Sequence, residues 1–248
     1  QKAATTEADI IVMCGVHFMG ETSKILCPDK KVLVPDLEAT CSLAESCPAD
    51  KFAEFVAQHP DHTVISYVNT TAATKAVTDI VVTSSNARQI VESLPQDTPI
   101  IFGPDRNLGG YINSITGRNM LLWDGACHVH EKFSVEKIIE LKNQYPEAKV
   151  LVHPECKGAV VKLADKVGST AALLQYSIKD SANVFIVATE SGILHEMQKA
   201  CPEKTFIPAP PSDSTCACNE CSYMKLVTMQ KLYDCLLNES PEIHVDAE

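Results

Sequence analysis

The sequence predicts an α/β protein made of three pseudo-threefold-related units, each a small parallel sheet with helices on its faces in three layers. Two observations predict this. Short apolar runs recur with amphipathic stretches between them, as in parallel strands buried on both faces. The pattern also repeats: residues 8–41, 78–109 and 182–216 share one grammar of strand, turn, helix, polar break and second strand ending at proline.

In the first segment the strands are residues 10–13 and 32–34. In the second they are 80–82 and 100–102, and in the third 184–187 and 205–207. A preceding half, with a strand at 63–67 and then a helix, runs into the second segment; another, with a strand at 149–152, leads toward the third. The first segment lacks such a half. Its opening QKAATTEADI aligns with TKAVTDI, so residue 1 is expected to fall inside a repeat, with a strand and most of a helix absent upstream. The expected division is residues 1–45 with 222–248 as the first, incomplete domain, 46–130 as the second and 131–221 as the third.

Net charge is -11 and no basic run occurs, which argues against a nucleic-acid partner. No run of about 18 apolar residues and no signal-peptide pattern is present, so no membrane partner and a cytoplasmic location are expected. The 11 cysteines are many for such a chain, and in a reducing compartment metal binding or catalysis is their expected use. Cys14, Cys27, Cys47, Cys156, Cys201 and Cys235 read as small buried or capping residues.

Functional groups of parallel sheets gather at the carboxyl ends of the strands. There each unit carries a cysteine-bearing loop: PDLEATC ends at Cys41, a longer loop ends at Cys127, and CACNEC holds Cys216, Cys218 and Cys221. Around a common axis these loops would meet. Three thiolates suit an iron–sulfur cluster held by single cysteines; zinc and free thiols remain alternatives.

The motifs CGVHFMGETSKIL, PDLEATCSLA, SYVNTTAATKA, TSSNA, PDRNLG, CHVHEKF, VHPEC, VGSTAAL, ATESGILHEM and CNECSYMKL run collinearly over essentially the whole chain. In them the chain resembles the quinolinate synthase family. The resemblance implies three α/β domains with a 4Fe-4S cluster and the active site at their junction, ligated by Cys41, Cys127 and Cys221. It implies condensation of iminoaspartate with dihydroxyacetone phosphate to quinolinate in NAD biosynthesis, with L-aspartate oxidase or aspartate dehydrogenase supplying iminoaspartate. Cys216 and Cys218 are then not ligands. Their CxC spacing, in place of the family's CxxC, puts a regulatory disulfide there in doubt, since it would close a strained ring. The family's opening His-x-Tyr strand and Gly-Asp-Ser helix start have no match here, which puts normal turnover in doubt.

Residue chemistry gives candidates for each role. Ser84, Ser169 and Thr170 stand at helix starts, where hydroxyls cap and anions bind; the resemblance favours anion binding for Ser84 and Thr170. His153 and Glu155 alternate along VHPEC, with Pro154 holding an extended path, and form a candidate acid–base couple. Tyr67 and Asn69 share that strand-end spacing, and the resemblance assigns them proton donation and substrate orientation. His130 follows Cys127 closely enough to face the substrate, whereas His128 reads as structural. Glu190 could line the pocket or cap a helix; Asp105 reads as a turn residue and Arg106 as a domain contact. His17 faces a strand end with no assigned role. Two other classes compete: a metal scaffold or carrier without chemistry of its own, and a metal-free dicarboxylate- or phosphate-binding protein.

Overall fold

The computed structural model describes residues 2–213 and 219–245 and holds three parallel sheets. In the first, β1 (Ile10–Val12) pairs with β2 (Lys31–Leu33). The second contains β3 (Thr63–Tyr67), β4 (Ile80–Val82), β5 (Ile100–Gly103) and β6 (Leu121–Leu122), in the order β4-β3-β5-β6. The third contains β7 (Lys149–Val152), β8 (Lys166–Val167), β9 (Val184–Ala188) and β10 (Thr205–Pro208), in the matching order β8-β7-β9-β10.

Successive strand residues fill opposite layers, as period-two side chains must. In the second sheet Ile65 and Phe102 enter one core with Leu108 and Ile112, while Val64 and Ile101 enter another with Phe52 and Cys47. In the third, Val150, Val152 and Ile186 face one layer and Leu151, Phe185 and Val187 the other. This two-sided burial is why the strands read as unbroken apolar runs.

The register of the repeat differs from the sequence expectation. The counterpart of β1 and β9 is β5, not β4, and that of β2 and β10 is β6. Local bonding agrees. The Val64 amide donates to Asp79 Oδ2 and the Val150 amide to Asp165 Oδ2, each at 2.8 Å, so β3–β4 corresponds to β7–β8. TKAVTDI therefore leads into β4, and its alignment with the chain's opening fails. Among the described residues the first sheet has the two strands that match the third and fourth of its sisters.

The cysteine loops are equivalent in detail. The amides of His17, Arg106 and Ser191, just past β1, β5 and β9, donate to the carbonyls of Ala39, Gly125 and Asn219 at 2.7, 2.9 and 2.9 Å. Two residues beyond each carbonyl stands Cys41, Cys127 or Cys221. The carbonyl of each cysteine then accepts the amide four residues on, from Glu45, Glu131 and Lys225.

The last described segment returns to the first sheet. After helix Met229–Asn238, the Ile243 amide donates to Val32 at 2.8 Å, and Ile243 packs with Ile11, Val32 and Val34. Cys27, Cys47, Cys156, Cys201 and Cys235 are buried, but Cys14 is exposed, contrary to the sequence reading. It lies past the end of β1, outside the layer that β1 helps to bury.

Candidate functional site

The carboxyl ends of β3 and β7 deliver Tyr67, His153 and Glu155 to one buried place. Tyr67 donates its hydroxyl hydrogen to Glu155 Oε1 at 2.7 Å. His153 Nδ1 lies 3.6 Å from the same oxygen. His130 comes from the Cys127 loop and puts Nδ1 3.1 Å from Glu155 Oε2, off the line of a hydrogen bond. The two imidazoles stack at 4.9 Å. Thr189, at the end of β9, bonds His130 Nε2 at 3.0 Å and so restrains the ring.

His153 and Glu155 meet, but not along an extended path. The Cys156 amide donates to the His153 carbonyl at 3.0 Å, closing a turn through Pro154, and the turn brings the two side chains together.

Charge is sharply sorted here. Burial pushes the Glu155 carboxyl up, but the neighbouring His130 and His153 and the hydrogen bond from Tyr67 outweigh it, holding it well below the usual carboxylate range. Burial pushes His153 down to about 4, against the attraction of Glu155. Tyr67 is pushed up by burial and by Glu155, so it keeps its proton and acts as a donor. Burial and Glu155 also raise Asp105, to about 8.

Cys127, His130 and Glu155 offer ligand atoms within 4.8 Å of one another. The other two thiols are within electrostatic reach: Cys41 is raised to about 11 by burial, with Glu155 and Cys221 adding, and Cys127 is pushed far up by burial, Glu155 and Cys41. Three half-buried thiols within electrostatic reach of an ionised carboxylate are a donor set that a cationic metal group would relieve, so these residues fit one. Around them the loops are laced together. His128 bonds the Ser42 hydroxyl through its amide at 3.2 Å and its Nδ1 at 2.7 Å, its ring meets Tyr223 at 5.7 Å, and Tyr223 donates to Glu45.

Two further expected residues share a cavity of about 320 Å3 between the second and third sheets. Ser84 and Ser169 line it with Arg88, Tyr111, Lys166 and Gly168. Ser84 precedes helix Ala87–Ser93 by a turn whose cap is Asn86, so it is not at the helix start as expected. Ser169 is the cap of helix Thr170–Lys179, accepting the Ala172 amide at 3.3 Å. Thr170 is exposed in the first turn and lies outside the lining of this cavity. Asn69 lines a different cavity, of about 480 Å3, with Met13, Phe18 and Val68. The two oxygens of Glu190 accept the backbone amides of Cys221 and of Gly192, the residue before helix Ile193–Ala200. Cys216 and Cys218 lie outside the described residues.

Sequence reasoning missed Thr189 and the burial of Asp105, which is fully enclosed and caps helix Arg106–Thr116. The available signal was the repeat itself, because Asp105 and Glu190 occupy equivalent strand ends once the register is right. Arg106 is engaged by Asp124 at 2.9 Å and Glu131 at 3.3 Å. His17 opens helix His17–Leu26, 3.8 Å from Glu21.

The family model described as "Quinolinate synthetase A protein" matches residues 1–248. The quinolinate synthase of Thermosynechococcus vestitus is 59% identical over 245 residues, which cover 99% of this chain and 77% of the relative. That of Microcystis aeruginosa is 59% identical over 248 residues, covering 100% and 77%. That of Chloroherpeton thalassium is 57% identical over 243 residues, covering 98% and 76%.

Proposed function

Since the chain belongs to the quinolinate synthetase A family, we propose that it condenses iminoaspartate with dihydroxyacetone phosphate, releasing quinolinate, phosphate and two molecules of water. The observation that carries this reading is the buried set of Tyr67, His130, His153 and Glu155 with the half-buried thiols of Cys41, Cys127 and Cys221 within electrostatic reach. A carrier of electrons would need the thiols but not this acid–base set.

Each group has a task its environment suits. The cavity of Ser84, Ser169, Arg88 and Lys166 takes the phosphate-bearing substrate, with hydroxyl donors and two cations facing an anion. His153, neutral at pH 7, accepts a proton from a substrate carbon. Tyr67 donates one to a departing oxygen, and Glu155 stays ionised and holds both the Tyr67 hydroxyl and the His130 ring in place. A 4Fe-4S cluster on Cys41, Cys127 and Cys221 would supply an iron free of protein thiolate, a Lewis acid for a substrate hydroxyl. The iminoaspartate is supplied by an L-aspartate oxidase or aspartate dehydrogenase. Among the described residues no helix is long and apolar enough to cross a membrane.

The test is anaerobic purification of wild type and Cys221→Ala, with iron, sulfide, zinc and quinolinate formation measured. About four irons and four sulfides per chain, lost with turnover in the variant, are expected. A second reading rests on the Cys127, His130 and Glu155 group alone. One zinc retained by Cys221→Ala would establish it and overturn the cluster.

A further inference from the structure

We propose that Asp105 and Glu190 are positioning residues that fix two of the three cysteine loops, each by taking the amide hydrogen of its cysteine. The proposal rests on the reading of Cys127 and Cys221 as metal ligands. Asp105 Oδ2 accepts from the Cys127 amide at 3.3 Å while its Oδ1 accepts from Leu108 at 2.7 Å. Glu190 repeats the arrangement: Oε1 takes the Cys221 amide at 3.2 Å and Oε2 the Gly192 amide at 2.8 Å. One oxygen of each carboxylate ties down the turn after its own strand, and the other reaches across to the cysteine. The two residues are equivalent, since each precedes the residue whose amide bonds the carbonyl two positions before the cysteine. In the first unit that place belongs to Val16, which has no acceptor to offer Cys41.

Two acceptor oxygens are needed for this two-armed task. An amide side chain of the same shape has one oxygen and would turn its NH2 toward the second backbone amide. Asp105 is fully buried with no cation paired to it, an arrangement that costs stability unless its acceptors are used, and backbone amides use them. The Cys127 backbone is pinned throughout. Its amide is held by Asp105 and its carbonyl accepts from Glu131 at 3.0 Å. Asp105 thus sets the direction in which Cys127 presents its sulfur, as outer partners of metal ligands do.

The experiment compares wild type, Asp105→Asn and Glu190→Gln as full chains, both metal-loaded and metal-free. Hydrogen exchange is followed in peptides containing Cys41, Cys127 and Cys221, together with the rate at which a chelator strips iron from the loaded protein. In Asp105→Asn we expect exchange at least 10-fold faster around Cys127 alone, and in Glu190→Gln around Cys221 alone, with iron loss several-fold faster in both. Exchange and iron loss equal to wild type in both variants would overturn the proposal. Should Asp105→Asn fail to fold, the half-buried Glu190 carries the test. Should wild type bind no cluster, the ligand reading fails, while exchange in metal-free protein still decides whether the carboxylates hold the loops.

Discussion

His153 lies 3.6 Å from an ionised carboxylate, yet burial pushes its pKa down to about 4, against about 6.5 for an unfolded histidine. Between those values the unfolded chain binds the extra proton, so stability rises with pH and is lost as pH falls from about 6.5 toward 4. Below that, Glu155 acts in the same direction as pH falls through the carboxylate range. For metal-free protein, His153→Gln is expected to remove up to about 3 kcal/mol of the loss between pH 7 and 4, read from urea unfolding at several pH values. An unchanged pH slope would show that His153 already carries its proton in the folded chain. The pairing of His153 with Glu155 was legible in VHPEC because its chemistry is local. The turn that joins them was not, and neither was the role of Asp105, whose PDRN context reads as an ordinary turn. Burial is decided by residues far along the chain, such as Cys127, and leaves no local mark.

At the scale of elements, the β3–β4 and β7–β8 connections are two copies of one device. Asp79 and Asp165 each accept the amide of a residue 15 positions earlier, on the neighbouring strand. Asp79→Ala and Asp165→Ala should each cost about 1–2 kcal/mol, and the double variant should be additive, because the sites lie in different sheets. The Lys142 and Lys149 contacts of Asp165, at 3.9 and 3.4 Å on the surface, add little. Denaturant unfolding of the four proteins checks this; a large difference between the single variants would show that the copies are not equivalent. Strands of three to five residues were readable from their apolar runs. Leu121–Leu122 and Lys166–Val167 were not, since two residues are too few to show a period. Missing them displaced the repeat by one strand and hid the correspondence of Asp105 with Glu190.

Across the whole molecule, the first sheet depends on residues from the far end of the chain. Ile243 is buried against Ile11, Val32 and Val34, and Leu33 bridges Glu242. Ile243→Ala is therefore expected to cost about 2–4 kcal/mol, with hydrogen-exchange protection lost in β1 and β2 before the other sheets. Equal loss in all three sheets would mean that they open as one. The three-unit plan and the meeting of the cysteine loops were legible because strand ends follow a general rule of parallel sheets. The lacing of His128, Ser42, Tyr223 and Glu45 was not, since it joins residues of unrelated motifs. One loop per unit also imposes an order in time. A ribosome extending the chain at roughly 5–20 residues per second releases Cys41 first, Cys127 later and Cys221 last of the three. For several seconds of each synthesis the early thiols have no third partner. Capture of any cofactor shared by the three thiols thus waits for Cys221, and until then the early thiols are open to oxidants.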